Sequence, residues 1–355
     1  MRWSELLLAG SPREQLEAYF EPRAAAIDAG QLDLREGLRW LNEGVLAAAA
    51  GEAGPNHDLT LVCRTIATVA WSDLATAFSL WCHRMVLEYL AHAPAGSSLC
   101  ELVLPRLLRT EVVGSTALAS GMSHALLGTP LPVQATRATD QVCLTGTVPW
   151  ASNLFTPDFV LVLAAATSAG PIIVTVPGEH AGVAVAPPAR LLALDGTRSS
   201  SIRLTDVVLP ADWVLTDDFT EFIRRVRPVF LLLQSSFALG LAARALAEAA
   251  PGVHGANAVL QPDLVALEAT ARLLVATLLA AARQRGQSCP LPELVRLRYE
   301  SACLAVQAVA LEAKTQGGRG YLASSATARR LREAAFLPLQ SPTEGQLRWE
   351  LQHCA

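Results

Sequence analysis

From residue 4 to about residue 109, apolar positions recur every three or four residues. LREGLRWLNEGVLAAAA and LTLVCRTIATVAWSDLATAFSLWCHRMVLEYLA carry the pattern most clearly, and it predicts amphipathic and buried helices. Pro55 and Asn56 mark a turn between two of these helices, and Pro94 ends another. Near Val112 the texture changes. LPVQATRA, QVCLTGTV, FVLVLAAA, PIIVTV, GVAVA and SSIRLTDVVL are short, rich in Val, Ile and Thr, and separated by Gly, Asp and Pro. Several alternate with period two, which predicts an antiparallel barrel or sandwich. The first two are joined as a hairpin at Ala138-Thr139-Asp140. After Pro210-Ala211-Asp212-Trp213 the helical period returns, over 221–250, 262–287, 292–316 and 324–335, which predicts an up-and-down four-helix bundle.

The fold class expected is therefore α+β and mostly α, in three domains: an N-terminal helical domain over 1–111, a central β-domain over 112–218 and a C-terminal bundle over 219–355. Strands gathered in one block do not make the alternating βαβ order of a Rossmann fold. A chain of 355 residues is long enough for such a division.

Composition sharpens the picture in three places. The chain is 52% hydrophobic, so its richest run, FLLLQSSFALGLAARALAEAA from Phe230, has to be weighed as a membrane span. Gln234, Ser235, Ser236 and Arg244 inside it would be costly in lipid, so a buried core helix is expected, with no membrane association. The N-terminus has Glu5 within its brief apolar run and does not read as a secretion signal. A net charge of −4 with no basic stripe argues against a nucleic-acid partner. Seven cysteines (Cys63, Cys82, Cys100, Cys143, Cys289, Cys303 and Cys354) form no CxxC pair, which points away from a disulfide framework or zinc cage and toward a reducing, cytoplasmic location. The histidines are scattered without ligand spacing, so no metal site is expected.

Four stretches are more specific. LTGTVPWASNL resembles the "L-x-G-x-K-x-W-I-T-N" strand pair of the acyl-CoA dehydrogenase superfamily. LDGTRSSSIRLTDVVLPADWVL resembles that family's "G-x-R-x-S" segment with its following strand and proline, and TQGGRGYLASS resembles its "G-G-x-G-[FY]" turn. ARRLREAAFLPLQSPTEGQLRWEL resembles its last "R-x-x-R-D … Y-E-G-T" helix and loop, with Arg332 and Glu333 in the places of the Arg-Asp pair. The resemblance implies a flavoprotein of that fold holding FAD. Trp150 would lie against the flavin ring and the Ser152 hydroxyl would bond near its N5, an aromatic plate and a fixed donor being suited to orienting a planar redox ring. Leu118 opens LASGMSHALLG, which stands where the family's flavin-lining "T-E-P-x-x-G-S-D" lies. Arg198 and Ser200 are the polar members of their segment, Gly317, Gly318 and Gly320 would bring backbone to the flavin diphosphate of a neighbouring subunit, and Thr343 takes the place of the family's Thr. A homodimer or homotetramer is the implied assembly.

The sequence also departs from that pattern. The position of the usual catalytic glutamate holds Ser341, whose hydroxyl has too high a pKa to act unaided as a base. The "R-x-x-F-G" grip on FAD has no counterpart in AAPGVHGANAVLQPD, so FMN or no flavin are alternatives to FAD. Flavin monooxygenases of the same fold also lack the glutamate and use a helix histidine with the serine of the Trp-x-Ser strand, roles open to His83 and Ser152. His83 on an otherwise apolar helix can equally be a satisfied core histidine. The expected function is a flavin-dependent oxidoreductase acting on an acyl thioester or related small molecule. A monooxygenase of the same fold and a catalytically silent homologue acting as a binding or assembly partner are the alternatives.

Overall fold

The computed structural model describes residues 3–51 and 54–353. Cys354 lies outside the described residues. The chain begins with short helices α1 (Trp3–Leu8), α2 (Arg13–Phe20), α3 (Ala24–Asp28) and α4 (Arg35–Trp40), followed by two long ones, α5 (Leu59–Ser72) and α6 (Leu74–Leu90). One continuous apolar period covers α5 and α6 in the sequence, but Asp73 divides it. Its extended backbone ends α5, and its carboxylate caps α6 by accepting from Ala75 N at 3.0 Å and Thr76 N at 3.3 Å. Every residue of α6 is buried, so no face of it reads as polar. Short helices α7 (Ser98–Leu102) and α8 (Leu104–Leu108) lead to the sheet.

The central module is one eight-stranded sheet, in the order β6-β7-β3-β2-β4-β5-β8 with β1 paired to β4. The strands are β1 (Val113–Ala117), β2 (Val133–Arg137), β3 (Gln141–Ala151), β4 (Phe159–Thr167), β5 (Gly170–Pro177), β6 (Val183–Val185), β7 (Ser200–Pro210) and β8 (Val214–Thr216). The β2–β3 hairpin closes at the expected turn, where Ala138 N donates to Gln141 O at 2.9 Å. The sheet is mixed rather than wholly antiparallel. Strand β1 runs parallel to β4, and β2 meets β4 in parallel at Gln134 and Ala166. Helix α9 (Ala119–Leu127), formed from the LASGMSHALLG stretch, links β1 to β2, and both of these strands lie parallel to β4.

The C-terminal helices are α10 (Phe219–Ala249), α11 (Gln261–Ala282), α12 (Leu291–Gln316), α13 (Ala326–Phe336) and α14 (Glu344–His353). Each of the four expected runs contains a helix, the second ending at Ala282 rather than at 287 and the fourth starting at Ala326 rather than at 324, and α14 is an additional short element. Helices α10 and α11 are both long and apolar enough to cross a membrane, but the most apolar window of α10 is 94% buried within the protein. Helix α10 packs against α12 on one side and α5 on the other, so the bundle and the N-terminal helices share one core. That close approach rests on Gly240, where a Cβ would sit 2.2 Å from the Ala67 carbonyl oxygen of α5.

Candidate functional site

A cavity of about 530 Å3 opens where the end of the sheet meets α6, α10 and α13. Strand β3 provides one wall. Between Val148 and Ala151 its pairing with β7 shifts register, and the bulge lets Pro149 sit outside the ladder and turns Trp150 to the surface, where it is 57% exposed. Ser152 follows on the wall itself, and Asn153 then takes φ +64° and ties the corner down. Its amide donates to the carbonyls of Ser79 on α6 and Gly114 on β1, both at 2.9 Å. The "W-x-S-N" run is thus a bulge, a hydroxyl and a bolt.

Helices supply the opposite wall. Phe78 and Trp81 of α6 stack at 5.3 Å; Phe336 of α13 meets the Phe78 edge at 5.0 Å, and Phe230 of α10 meets Trp81 at 5.0 Å. Such edge and offset contacts hold ring faces in fixed planes. The loop after α13 places Gln340 and Ser341 in the wall. Buried Arg298 of α12 donates to Gln234 Oε1 (3.0 Å), Leu337 O (3.0 Å) and Gln340 Oε1 (3.1 Å), and Gln234 in turn donates to the Ser341 carbonyl at 2.9 Å. An arginine only donates, so it fixes the amide orientation of both glutamines and with it the loop that carries Ser341.

The third wall is the loop before β7. Asp195–Thr197 form a 3-10 turn flanked by Leu194 at φ +68° and Arg198 at φ +50°. Gly196 is required there, because a Cβ would meet the Ile27 carbonyl oxygen at 2.3 Å. The turn lines up three hydroxyls: Ser152 Oγ lies 2.7 Å from Ser199 Oγ, and Ser199 Oγ lies 2.7 Å from Thr197 Oγ1. At the mouth, Trp150, Leu192 and Leu339 are all exposed apolar side chains.

Among the described residues that line the cavity there is no Asp or Glu. The one charged lining side chain, Arg332, is paired with Asp28 at 2.9 Å. The Cys82 thiol also lines the cavity, but burial raises its pKa well above the ordinary thiol range, so it stays protonated.

Of the residues singled out in the sequence, Trp150, Ser152 and Ser341 come together in this cavity. Leu118 is fully buried just before α9, and its neighbour Ala119 lines the wall in its place. His83 lies five residues beyond Phe78 on the same helix but is not in the lining. Its Nδ1 accepts from Gly114 N at 3.0 Å, which puts its proton on Nε2, beside Asn42 and the Leu107 carbonyl. Burial, then the neighbouring Arg84 charge, push its pKa down to about 3. His83 is therefore a neutral bolt between α6 and β1 rather than a cavity group. Arg198 serves the turn through its backbone and stands outside the lining. Thr343 caps α14 reciprocally with Gln346, its Oγ1 accepting from Gln346 N at 3.3 Å and its own N donating to Gln346 Oε1 at 2.8 Å. Gly317, Gly318 and Gly320 form a turn outside the cavity lining, with Gly317 at φ +58° and open space around Gly317 and Gly318. Asp28, Phe78, Thr197 and Ser199 were not singled out; the G-T-R-S-S run carried the last two, but nothing in it marks which hydroxyls meet Ser152.

No protein-family model matches the sequence, and no curated protein does. The three-dimensional arrangement is nevertheless a known one: the chain has the acyl-CoA dehydrogenase fold. It is similar to an acyl-CoA dehydrogenase from Geobacillus kaustophilus at 15% identity and a TM-score of 0.85, over 96% of this chain and 95% of that one. It is similar to a glutaryl-CoA dehydrogenase from Mycobacterium smegmatis in complex with FADH2 at 15% identity and a TM-score of 0.82, over 99% and 93%. It is also similar to FkbI, a protein for biosynthesis of the methoxymalonyl extender unit of a polyketide immunosuppressant, at 16% identity and a TM-score of 0.78, over 96% and 98%.

Proposed function

We propose that the chain is a divergent member of the acyl-CoA dehydrogenase superfamily, a flavin-dependent oxidoreductase that binds a flavin ring in the cavity of Trp150 and Ser152. The observation that carries this reading is the convergence of Trp150, Ser152 and Ser341 on one cavity, from β3 and from the loop after α13. The lining suits a planar ring: aromatic faces from Trp150, Phe78 and Phe336, and hydroxyls of Ser152, Ser199 and Thr116 for its polar edge. For a diphosphate the lining offers one cation, Arg332, already paired with Asp28, so FAD would need further donors at the Gly317–Gly320 turn of a second copy. On this reading the protein is a homodimer or homotetramer, and FMN is the alternative cofactor.

When bound, a flavin accepts or gives a hydride at its ring. This chain's residues position the ring, exclude water with the Phe78–Trp81–Phe336 wall, and hold the Ser341 loop in place through Arg298. The substrate is an acyl thioester or related small molecule lying between the sheet and the helices. With no carboxylate in the lining and His83 held neutral outside it, the usual proton abstraction by glutamate is not available to these residues. A monooxygenase of the same fold is the second reading, and that same lack of a carboxylate favours it. A cytoplasmic location is the one proposed, from the scattered spacing of the cysteines in the sequence.

Purification gives the test. The expected product is yellow with a flavin absorption band, or becomes so on adding FAD or FMN, and Trp150→Ala loses most of that binding. A colourless protein that neither flavin restores would overturn the cofactor assignment and leave a catalytically silent homologue. Anaerobic bleaching by a panel of acyl-CoA thioesters then separates dehydrogenase from oxygenase.

A further inference from the structure

The three hydroxyls on the cavity wall form a chain whose direction is fixed at one end. Thr197 Oγ1 has a single proton, and the Leu194 carbonyl 2.8 Å away can only accept it. That carbonyl also takes Thr197 N–H at 3.0 Å, while Leu194 N is held by Asp28 Oδ1 at 2.7 Å and Thr197 O by Asn153 N at 2.7 Å, so the anchor is constrained from four sides. With its proton committed, Thr197 Oγ1 can only accept from Ser199 Oγ, at 2.7 Å. Ser199 then has no proton left for Ser152 and must accept from it, also at 2.7 Å.

We infer that Ser152 presents only lone pairs to the cavity, so the atom seated against it has to bring a hydrogen. This inference rests on the flavin reading above, and it turns round the donor role expected of Ser152 from the family resemblance. An oxidised flavin ring carries a bare nitrogen at N5, which wants a donor. A reduced ring carries N–H there, which wants an acceptor. The wall therefore favours the reduced ring and raises the midpoint potential of the bound flavin. A lone pair facing a lone pair at a partly buried site costs about as much as a lost hydrogen bond, which corresponds to roughly a tenfold difference in affinity.

The experiment compares FAD titrated oxidised with FAD titrated after dithionite reduction under anaerobic conditions. Tryptophan fluorescence follows both, since Trp81 and Trp150 line the cavity. The wild-type protein is expected to bind reduced FAD about tenfold more tightly than oxidised FAD. In Thr197→Val the chain loses its anchor and can reverse, so the ratio falls toward one, and the midpoint potential drops by about 30 mV for a two-electron couple. Ser199→Ala, which leaves the turn and its backbone bonds in place, is expected to lose the preference in the same way and stands as the check should Thr197→Val fold poorly. Equal affinities in the wild type, tighter binding of the oxidised form, or a ratio unchanged in both variants overturns the inference while leaving flavin binding intact. Binding of neither form overturns the cofactor assignment and this inference with it.

Discussion

Asp28 and Arg332, 304 residues apart in the chain, meet at 2.9 Å on the edge of the cavity, and the second oxygen of the same carboxylate holds the backbone of Leu194 at 2.7 Å. One buried side chain thus connects the last long helix before the Ser341 loop to the turn that anchors the hydroxyl chain. The site is assembled from all three parts of the molecule at this point.

Replacing Asp28 by alanine leaves Arg332 without its counter-ion and Leu194 N without its acceptor. We expect a loss of roughly 2–3 kcal/mol in urea unfolding, as for other buried acceptors removed from charged and backbone donors. Asp28→Asn keeps an oxygen for Leu194 and should cost less than half as much. Equal losses would show that the backbone contact contributes nothing.

Acid should expose His83. Its folded-state pKa, about 3, lies below the ordinary 6.5, so the unfolded chain binds a proton that the folded chain refuses between those values. Stability contributed by the neutral ring is present above about pH 6.5 and drains away as the pH falls toward 3, at up to about 1.4 kcal/mol per pH unit. The stability gap between wild type and His83→Gln should therefore be widest at pH 7 and narrower at pH 4, read by urea unfolding at each pH. A gap that widens in acid would contradict the buried neutral assignment.

Glu333 behaves in the opposite sense. Burial pushes its carboxyl from 4.5 up to about 7, with the Arg329 guanidinium at 3.0 Å pulling it back. The folded chain holds a proton that the unfolded chain releases, so its contribution is full below about pH 4.5 and falls as the pH rises to 7. Glu333→Gln should flatten that descent in thermal unfolding between pH 5 and 8. A variant with the wild-type pH slope would count against it.

The helix crossing at Gly240 gives a purely steric test. Alanine there would gain up to about 1 kcal/mol of helix propensity, but its Cβ would lie 2.2 Å from the Ala67 carbonyl oxygen, and backbone on both sides must move. We expect Gly240→Ala to destabilise by about 2–3 kcal/mol and to lower the melting temperature. Unchanged stability would mean that α5 and α10 can separate without cost.

Much of this was legible beforehand, and for identifiable reasons. The 31-residue α10 shows in its period and its polar insertions, and the β-block in its short Val- and Thr-rich runs. The Trp150-x-Ser152 and Ser341 positions were visible as local motifs because a bulge and a loop are encoded by neighbours in sequence. The parallel placement of β1 was not, since VGSTA is short and its partner β4 lies more than forty residues on. His83 read as a possible cavity group because a wholly buried helix gives no polar face from which to tell inside from outside.

The amino-acid order alone determined the helix–strand–helix succession of blocks and the absence of a carboxylate where the family resemblance looks for one. Those properties follow from residue type and short-range spacing, which no distant contact alters. Tertiary structure alone decided which hydroxyl donates to which, that Asp28 joins Arg332 to Leu194, and that His83 is sealed away from the cavity. Hydrogen-bond direction and proton affinity depend on what lies within about 3 Å in space, and that distance is set by the packing of segments hundreds of residues apart.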